Sequence, residues 1–189
     1  MHRLTHIFVE NKCSYMLCVL RKVAINTIFV EVKTVNAMKT GERLPDVLGI
    51  DANGKEVKLS DYAGRKIVLY FYPKDNTPGC TAEACSLRDG YEALREAGYE
   101  VIGVSKDSAA SHRKFADKYN LPFTLIADTD TALNQALGVW REKKMAGRTY
   151  MGTVRTTFVA DEQGVITHVI EKVATADHAQ QILQIVNNK

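Results

Sequence analysis

Residues 74–85 read KDNTPGCTAEAC and hold two of the four cysteines, Cys80 and Cys85, five positions apart. A C-x-x-C spacing would suggest a thioredoxin-type redox pair or half of a zinc site, and this is neither. Thr77 is a natural helix N-cap and Pro78 fits the first helical position, so Cys80 falls in the first turn. A thiol there meets unpaired backbone N–H groups and the positive end of the helix dipole, which favour thiolate. Cys80 is therefore a candidate nucleophile. It shares an apolar stripe with Ala84 and Leu87, so it should be shielded.

Cys85 falls on the polar face with Arg88 and Glu92. Five residues of helix turn it about 140° from Cys80 and lift it about 7.5 Å, a Cα separation of roughly 8–9 Å. A disulfide needs Cα atoms within about 7 Å. A bridge between the two thus requires the first turns to unwind. That suits a catalyst that oxidises in one conformation and forms its disulfide in another.

The elements around this stretch set its position. LGIDANGKEVKLSD (48–61) reads as two extended pieces around the Asn53-Gly54 turn. KIVLYFY (66–72) is an apolar run without alternation, the pattern of a central strand covered on both faces. In residues 78–97, Cys80, Ala84, Leu87, Tyr91 and Leu94 recur at helical spacing, and Gly98 stops the helix. YEVIGVS (99–105) returns as a strand parallel to the first, a right-handed βαβ unit. A helix capped by Ser108 and running to Tyr119, a strand at 123–127 and a short helix at 131–137 follow. An antiparallel hairpin of 154–160 with 165–170 and a helix over 176–187 complete the chain. The expected fold is α/β: one thioredoxin-like domain with a mixed central sheet and helices on both faces.

Bulk composition excludes several classes of function. The chain has 189 residues, 46% apolar and 25% charged, enough for one well-cored domain. Residues 1–37 carry five Lys/Arg against two acids, leaving 20 of each sign in 38–189. A neutral body has no electrostatic footprint for nucleic acid or anionic membrane. Four cysteines are too few for a secreted disulfide scaffold, so a cytoplasmic location is expected. No apolar run reaches the ~18–20 residues of a membrane span. The punctuation becomes regular only after Met38, so residues 1–38 are expected to be an N-terminal extension outside the fold of 39–189.

FYPKDNTPGCTAEAC resembles the P-x-x-x-T-x-x-C motif of the peroxiredoxins through Pro73, Thr77 and Cys80, and the Cys80–Cys85 spacing resembles the bacterioferritin comigratory protein, or PrxQ, subfamily. GERLPD (41–46), LSDYAGRKIVLYFYPKD (59–75), SLRDGY (86–91), VIGVSKDS (101–108) and VRTTFVAD (154–161) follow in family order. The resemblance covers about residues 39–189. It implies that Cys80 is the peroxidatic cysteine, oxidised by hydrogen peroxide or an organic hydroperoxide to a sulfenic acid. It implies further that Cys85 is the resolving cysteine, condensing with it to a disulfide that a thioredoxin-type dithiol reduces. On the same resemblance Thr77 hydrogen-bonds thiolate and peroxide, Pro73 shields the pocket, and Arg155 approaches the sulfur from a later strand and favours its ionised form. Glu83 matches a position often acidic in the family and takes a supporting role. No cofactor is implied, neither metal, haem nor flavin, and a monomer is expected.

Other residues carry less. Cys13 and Cys18 repeat the five-residue spacing, but no Pro or Gly knuckle surrounds them and the spacing is at the wide edge for zinc. His2, His6, His112, His168 and His178 are scattered, with His112 and His178 at expected polar helix positions and His168 on a strand. Two other readings stand beside the peroxidase: a redox sensor using the same disulfide, and a cysteine hydrolase, which would need a histidine within reach of Cys80.

Overall fold

The computed structural model describes residues 37–145 and 147–188. Cys13, Cys18, His2, His6 and all of the expected extension up to residue 36 lie outside them. Met38 is described, and its amide donates to the Leu137 carbonyl at 3.2 Å while its side chain packs against the core.

A five-stranded sheet organises the chain in the order β5-β4-β3-β8-β9. Its middle strand, β3 (Lys66–Phe71), is the apolar run read as central, and it is buried from Ile67 onward. Strand β3 pairs in parallel with β4 (Tyr99–Ser105), which pairs in parallel with β5 (Thr124–Ala127). On its other side β3 pairs antiparallel with β8 (Thr156–Ala160), which is followed by antiparallel β9 (Ile166–Ile170). This is the expected mixed sheet.

Alternation along β3 divides the core into two layers. Val68, Tyr70 and Tyr72 cluster with Ala84, Leu87, Leu94, Phe115 and Ile182. These come from helices α1 (Pro78–Asp89), α2 (Tyr91–Glu96), α3 (Ala109–Tyr119) and α5 (His178–Asn187). Ile67, Leu69 and Phe71 cluster instead with Leu48, Val57, Leu59, Leu133 and Phe158. That layer is supplied by the hairpin β1 (Val47–Ile50) and β2 (Glu56–Lys58), the 3-10 turn Leu59–Tyr62 and α4 (Ala132–Ala136). Helices thus serve both faces, unequally.

Two features depart from the expected elements. The helix expected over 78–97 is two helices, broken at Gly90. A Cβ on Gly90 would lie 2.4 Å from the Ala179 Cβ, so the lack of a side chain there lets α5 pack directly against the α1/α2 junction. A second hairpin, β6 (Trp140–Met145) with β7 (Arg148–Thr153), was not foreseen. Among the described residues its two strands pair only with each other, and they expose Tyr150 and Met151, so they lack the apolar alternation that marks a half-buried strand.

Candidate active site

Strand β3 delivers the chain into the loop 72–77, and α1 begins at Pro78 on the loop's far side. Cys80 therefore sits in the first turn of α1, as its spacing from Thr77 and Pro78 required, and is 2% exposed. It is shielded because its stripe neighbours Ala84 and Leu87 seat that face of α1 on Tyr70 and Tyr72. Arg155 reaches it from the segment immediately before β8, with Nη2 donating to the Cys80 Sγ at 3.2 Å. The expectation placed this arginine on the strand itself. Standing one residue outside it, the side chain keeps 21% exposure and can meet a molecule arriving from solvent.

The other arm of the guanidinium, Nη1, donates to Glu83 Oε2. Glu83 is fully buried, one turn along α1 from Cys80. Its second oxygen, Oε1, has no hydrogen-bond partner among the described residues. Burial pushes the Glu83 carboxyl up to about 7, against the opposing pull of Arg155. The Arg155 guanidinium is itself desolvated, but Glu83 and Cys80 more than offset this and raise its pKa. Arg155 thus bridges sulfur and carboxyl, with its position fixed by both.

A pH dependence follows. The ordinary carboxyl value for Glu83 is 4.5 and the folded one about 7, so between these the folded protein holds a proton that the unfolded chain has lost. The stability this contributes is complete below the lower value and lost as pH rises through the higher one. Urea denaturation from pH 4 to pH 8 should show the wild type losing on the order of 3 kcal/mol relative to Glu83→Gln, which does not titrate. Parallel curves for the two proteins would contradict it.

The remaining expected residues are placed less directly. Thr77 occupies the N-cap position with extended backbone but makes no side-chain cap bond. Its hydroxyl donates instead to the Lys74 carbonyl at 3.0 Å, a correction to the capping role. The first-turn amides beside Cys80 are therefore not taken by Thr77. Pro73 is half-buried at the start of the loop. Cys85 is a free thiol, half-buried on the same continuous helix as the free thiol of Cys80.

Two histidines overturn their expected positions. His112 and His178 are both fully buried. His178 accepts from the Thr157 hydroxyl through Nε2 at 2.8 Å and donates through Nδ1 to Gln181 Oε1 at 3.0 Å. Burial depresses its pKa to about 4, so it is neutral. His168 is half-buried on β9 beside the Thr167 hydroxyl. No described histidine hydrogen-bonds Cys80, which removes the Cys-His arrangement a cysteine hydrolase needs. Among the described residues no group of three or more His, Cys, Asp or Glu is placed to hold a metal ion, and no helix is long and apolar enough to cross a membrane.

Comparison with known proteins gives the family. The model of the AhpC/TSA family matches residues 40–169. Peroxiredoxin Bcp of Bacillus subtilis is 47% identical over 147 residues, 78% of this chain and 94% of that protein. Peroxiredoxin Bcp of Escherichia coli K12 is 40% identical over 149 residues, 79% of this chain and 96% of that one. Among solved structures, the bacterioferritin comigratory protein of Xanthomonas campestris superposes with a TM-score of 0.72 at 35% identity, covering 79% of this chain and 98% of that chain. A cysteine-to-serine variant of Xylella fastidiosa PrxQ gives 0.74 at 31% identity, covering 80% and 97%. With a family pattern matched across most of the chain, and relatives covered nearly end to end, the chain belongs to the AhpC/TSA family and is a peroxiredoxin of the Bcp/PrxQ type, a thiol peroxidase with a thioredoxin-like fold.

Proposed function

We propose that this protein reduces hydrogen peroxide and organic hydroperoxides through Cys80 and Cys85, with a thioredoxin-type dithiol as its reductant. The observation that carries the reading is the Arg155 donor 3.2 Å from a shielded Cys80 sulfur at the start of α1. The Cys80 thiolate attacks one peroxide oxygen. The O–O bond breaks, and the leaving alkoxide or hydroxide takes a proton to become alcohol or water. Negative charge moves from sulfur along the oxygens as this happens, so donors already fixed around that line stabilise the transition state more than the ground state. Arg155, the free first-turn amides and, after a turn of its hydroxyl away from Lys74, Thr77 are those donors. Pro73 keeps water from the reacting line.

The Cys80 sulfenic acid then condenses with the Cys85 thiol, releasing water and forming a disulfide. An external dithiol reduces it by thiol–disulfide exchange and is itself oxidised. Both thiols lie on intact helix in this structure, so α1 opens before they join. Residues 39–189 make up the catalytic domain and 1–38 an extension to it, working as a cytoplasmic monomer whose neutral surface suits neither nucleic acid nor anionic membrane.

The test is peroxide consumption coupled to thioredoxin and its reductase, followed by peptide mapping of the peroxide-treated protein. Continuous turnover with a Cys80–Cys85 disulfide is the expected result. Oxidation once per molecule without turnover would make the protein a redox sensor. A disulfide joining Cys13 to Cys80 would overturn the assignment of Cys85.

A further inference from the structure

The loop between β3 and α1 is fastened from below by a polar cluster with no part in the chemistry described above. Asp75, in the middle of that loop, is 5% exposed, and His112 on α3 is completely buried. Asp75 Oδ1 accepts from the Tyr72 hydroxyl at 2.8 Å, and Oδ2 accepts from the Ser111 hydroxyl at 2.7 Å. His112 Nδ1 lies 3.0 Å from Oδ2 and 3.2 Å from Oδ1. The Asp75 amide donates to Asp107 Oδ2 at 2.7 Å, and Asp107 in turn accepts from the Ser105 hydroxyl at the end of β4. Burial opposes ionisation of Asp75, but hydrogen bonds from His112 and Ser111 outweigh it and hold the carboxyl below its ordinary range.

The decisive detail is on the other side of the imidazole. His112 Nε2 lies 3.0 Å from the backbone carbonyl of Ile126 on β5. A carbonyl oxygen only accepts, and an ionised carboxylate only accepts. Both ring nitrogens therefore face acceptors and both must carry hydrogen. A neutral ring would set a lone pair against one of them in a site closed to water. Among the described residues, the one other hydrogen-bonding group near the ring is the Tyr72 hydroxyl, 3.4 Å from Nδ1, which is better placed to donate to Asp75. The remaining charged group in the cluster, Asp107, is also negative.

We propose that Asp75 and His112 form a buried ion pair that holds the Pro73–Thr77 loop in its reactive shape, which makes both of them positioning residues for the oxidation of Cys80. This rests on the reading under Proposed function. The loop has few other restraints. Asn76 stands at a left-handed φ of 56°, a conformation that costs energy and is kept only when its neighbours are fixed. Thr77 is tied within the loop, to the Lys74 carbonyl. Asp75 is thus the residue through which α3, β4 and β5 set where Pro73 and Thr77 stand relative to Cys80.

His112→Gln, Asp75→Asn and the double variant separate positioning from mere stability when two rates are read on each folded protein. One is single-turnover oxidation of Cys80 by hydrogen peroxide, which needs the pocket. The other is alkylation of Cys80 by iodoacetamide, which needs only the thiolate and access. Oxidation should fall about tenfold or more in both single variants while alkylation changes less than about threefold. The double variant should be no slower than the worse single one. Unchanged oxidation in the folded single variants, or oxidation and alkylation falling together, would overturn the proposal. Nitrogen NMR of the unsubstituted protein at pH 7 needs no variant: both His112 ring nitrogens should carry hydrogen, and a bare one would refute the ion pair. If Cys80→Ser loses oxidation while His112→Gln keeps it, only the positioning role fails. If Cys80→Ser still consumes peroxide, the peroxidase assignment beneath it fails instead.

Discussion

Cys80→Ser should lower peroxide consumption by at least about a thousandfold while leaving the protein folded. Serine is nearly isosteric with cysteine, and Cys80 is 2% exposed beside Ala84 and Leu87, so the packing of α1 has little reason to change. The chemistry has every reason to. A thiolate is a strong, polarisable nucleophile, whereas a serine hydroxyl attacks only if a base removes its proton. The neighbour that would have to serve is Arg155, which donates to this position at 3.2 Å and has no acceptor. Stopped-flow peroxide consumption at equal concentrations of folded protein, with urea midpoints as the check on folding, gives the comparison. A residual rate within tenfold of the wild type would place the reacting sulfur elsewhere.

How well the sequence foretold this site differs from residue to residue. Cys80 was legible twice over. Its place after Thr77 and Pro78 put it in the first turn of a helix, and its step to Ala84 and Leu87 put it on the buried face. Both inferences are local, and local rules suffice because one helix sets both properties. Arg155 lies 75 positions away, and nothing in its own neighbourhood says that it meets a sulfur. Only the likeness of VRTTF to a family motif connected the two.

The histidines show where periodicity misleads. His112 and His178 fall at expected polar positions of their helices, yet both are completely buried. His112 is compensated by Asp75 and the Ile126 carbonyl, and His178 by Thr157 and Gln181. Each set of partners comes in part from elements distant in sequence, so burial of a polar group is decided by tertiary pairing that no helical repeat encodes. The same holds for the break at Gly90. The apolar positions 87, 91 and 94 continue across it without a change of period, and Ala179, which fills the space a side chain at residue 90 would take, lies on the last helix.

Cys85→Ser should divide the cycle in two. Oxidation of Cys80 should proceed within about twofold of the wild-type rate, while thioredoxin-linked turnover falls by about a hundredfold or more. The first expectation follows from distance. Cys85 is on the half-buried side of α1, away from the Arg155 and Glu83 that surround the sulfur of Cys80. The second follows from access. A sulfenic acid at a position 2% exposed is out of reach of a protein dithiol, whereas a thiol on the same helix arrives at high effective concentration once the helix opens.

The restraints on α1 are unequal along its length. Its later turns are fastened to α5, where the Ala179 amide donates to Ser86 Oγ at 3.3 Å and Gly90 packs on Ala179. Its first turn has an exposed Pro78 and an N-cap residue that makes no side-chain cap bond. Opening should therefore start at Pro78 and stop short of Ser86, a segment that contains both cysteines. In the variant the oxidised Cys80 has no thiol to meet, so mass spectrometry after excess peroxide should find sulfinic acid accumulating at Cys80. Equal loss of the first oxidation in the two serine variants would end the division of labour, because Cys85 would then be needed for the pocket and not for closing the disulfide.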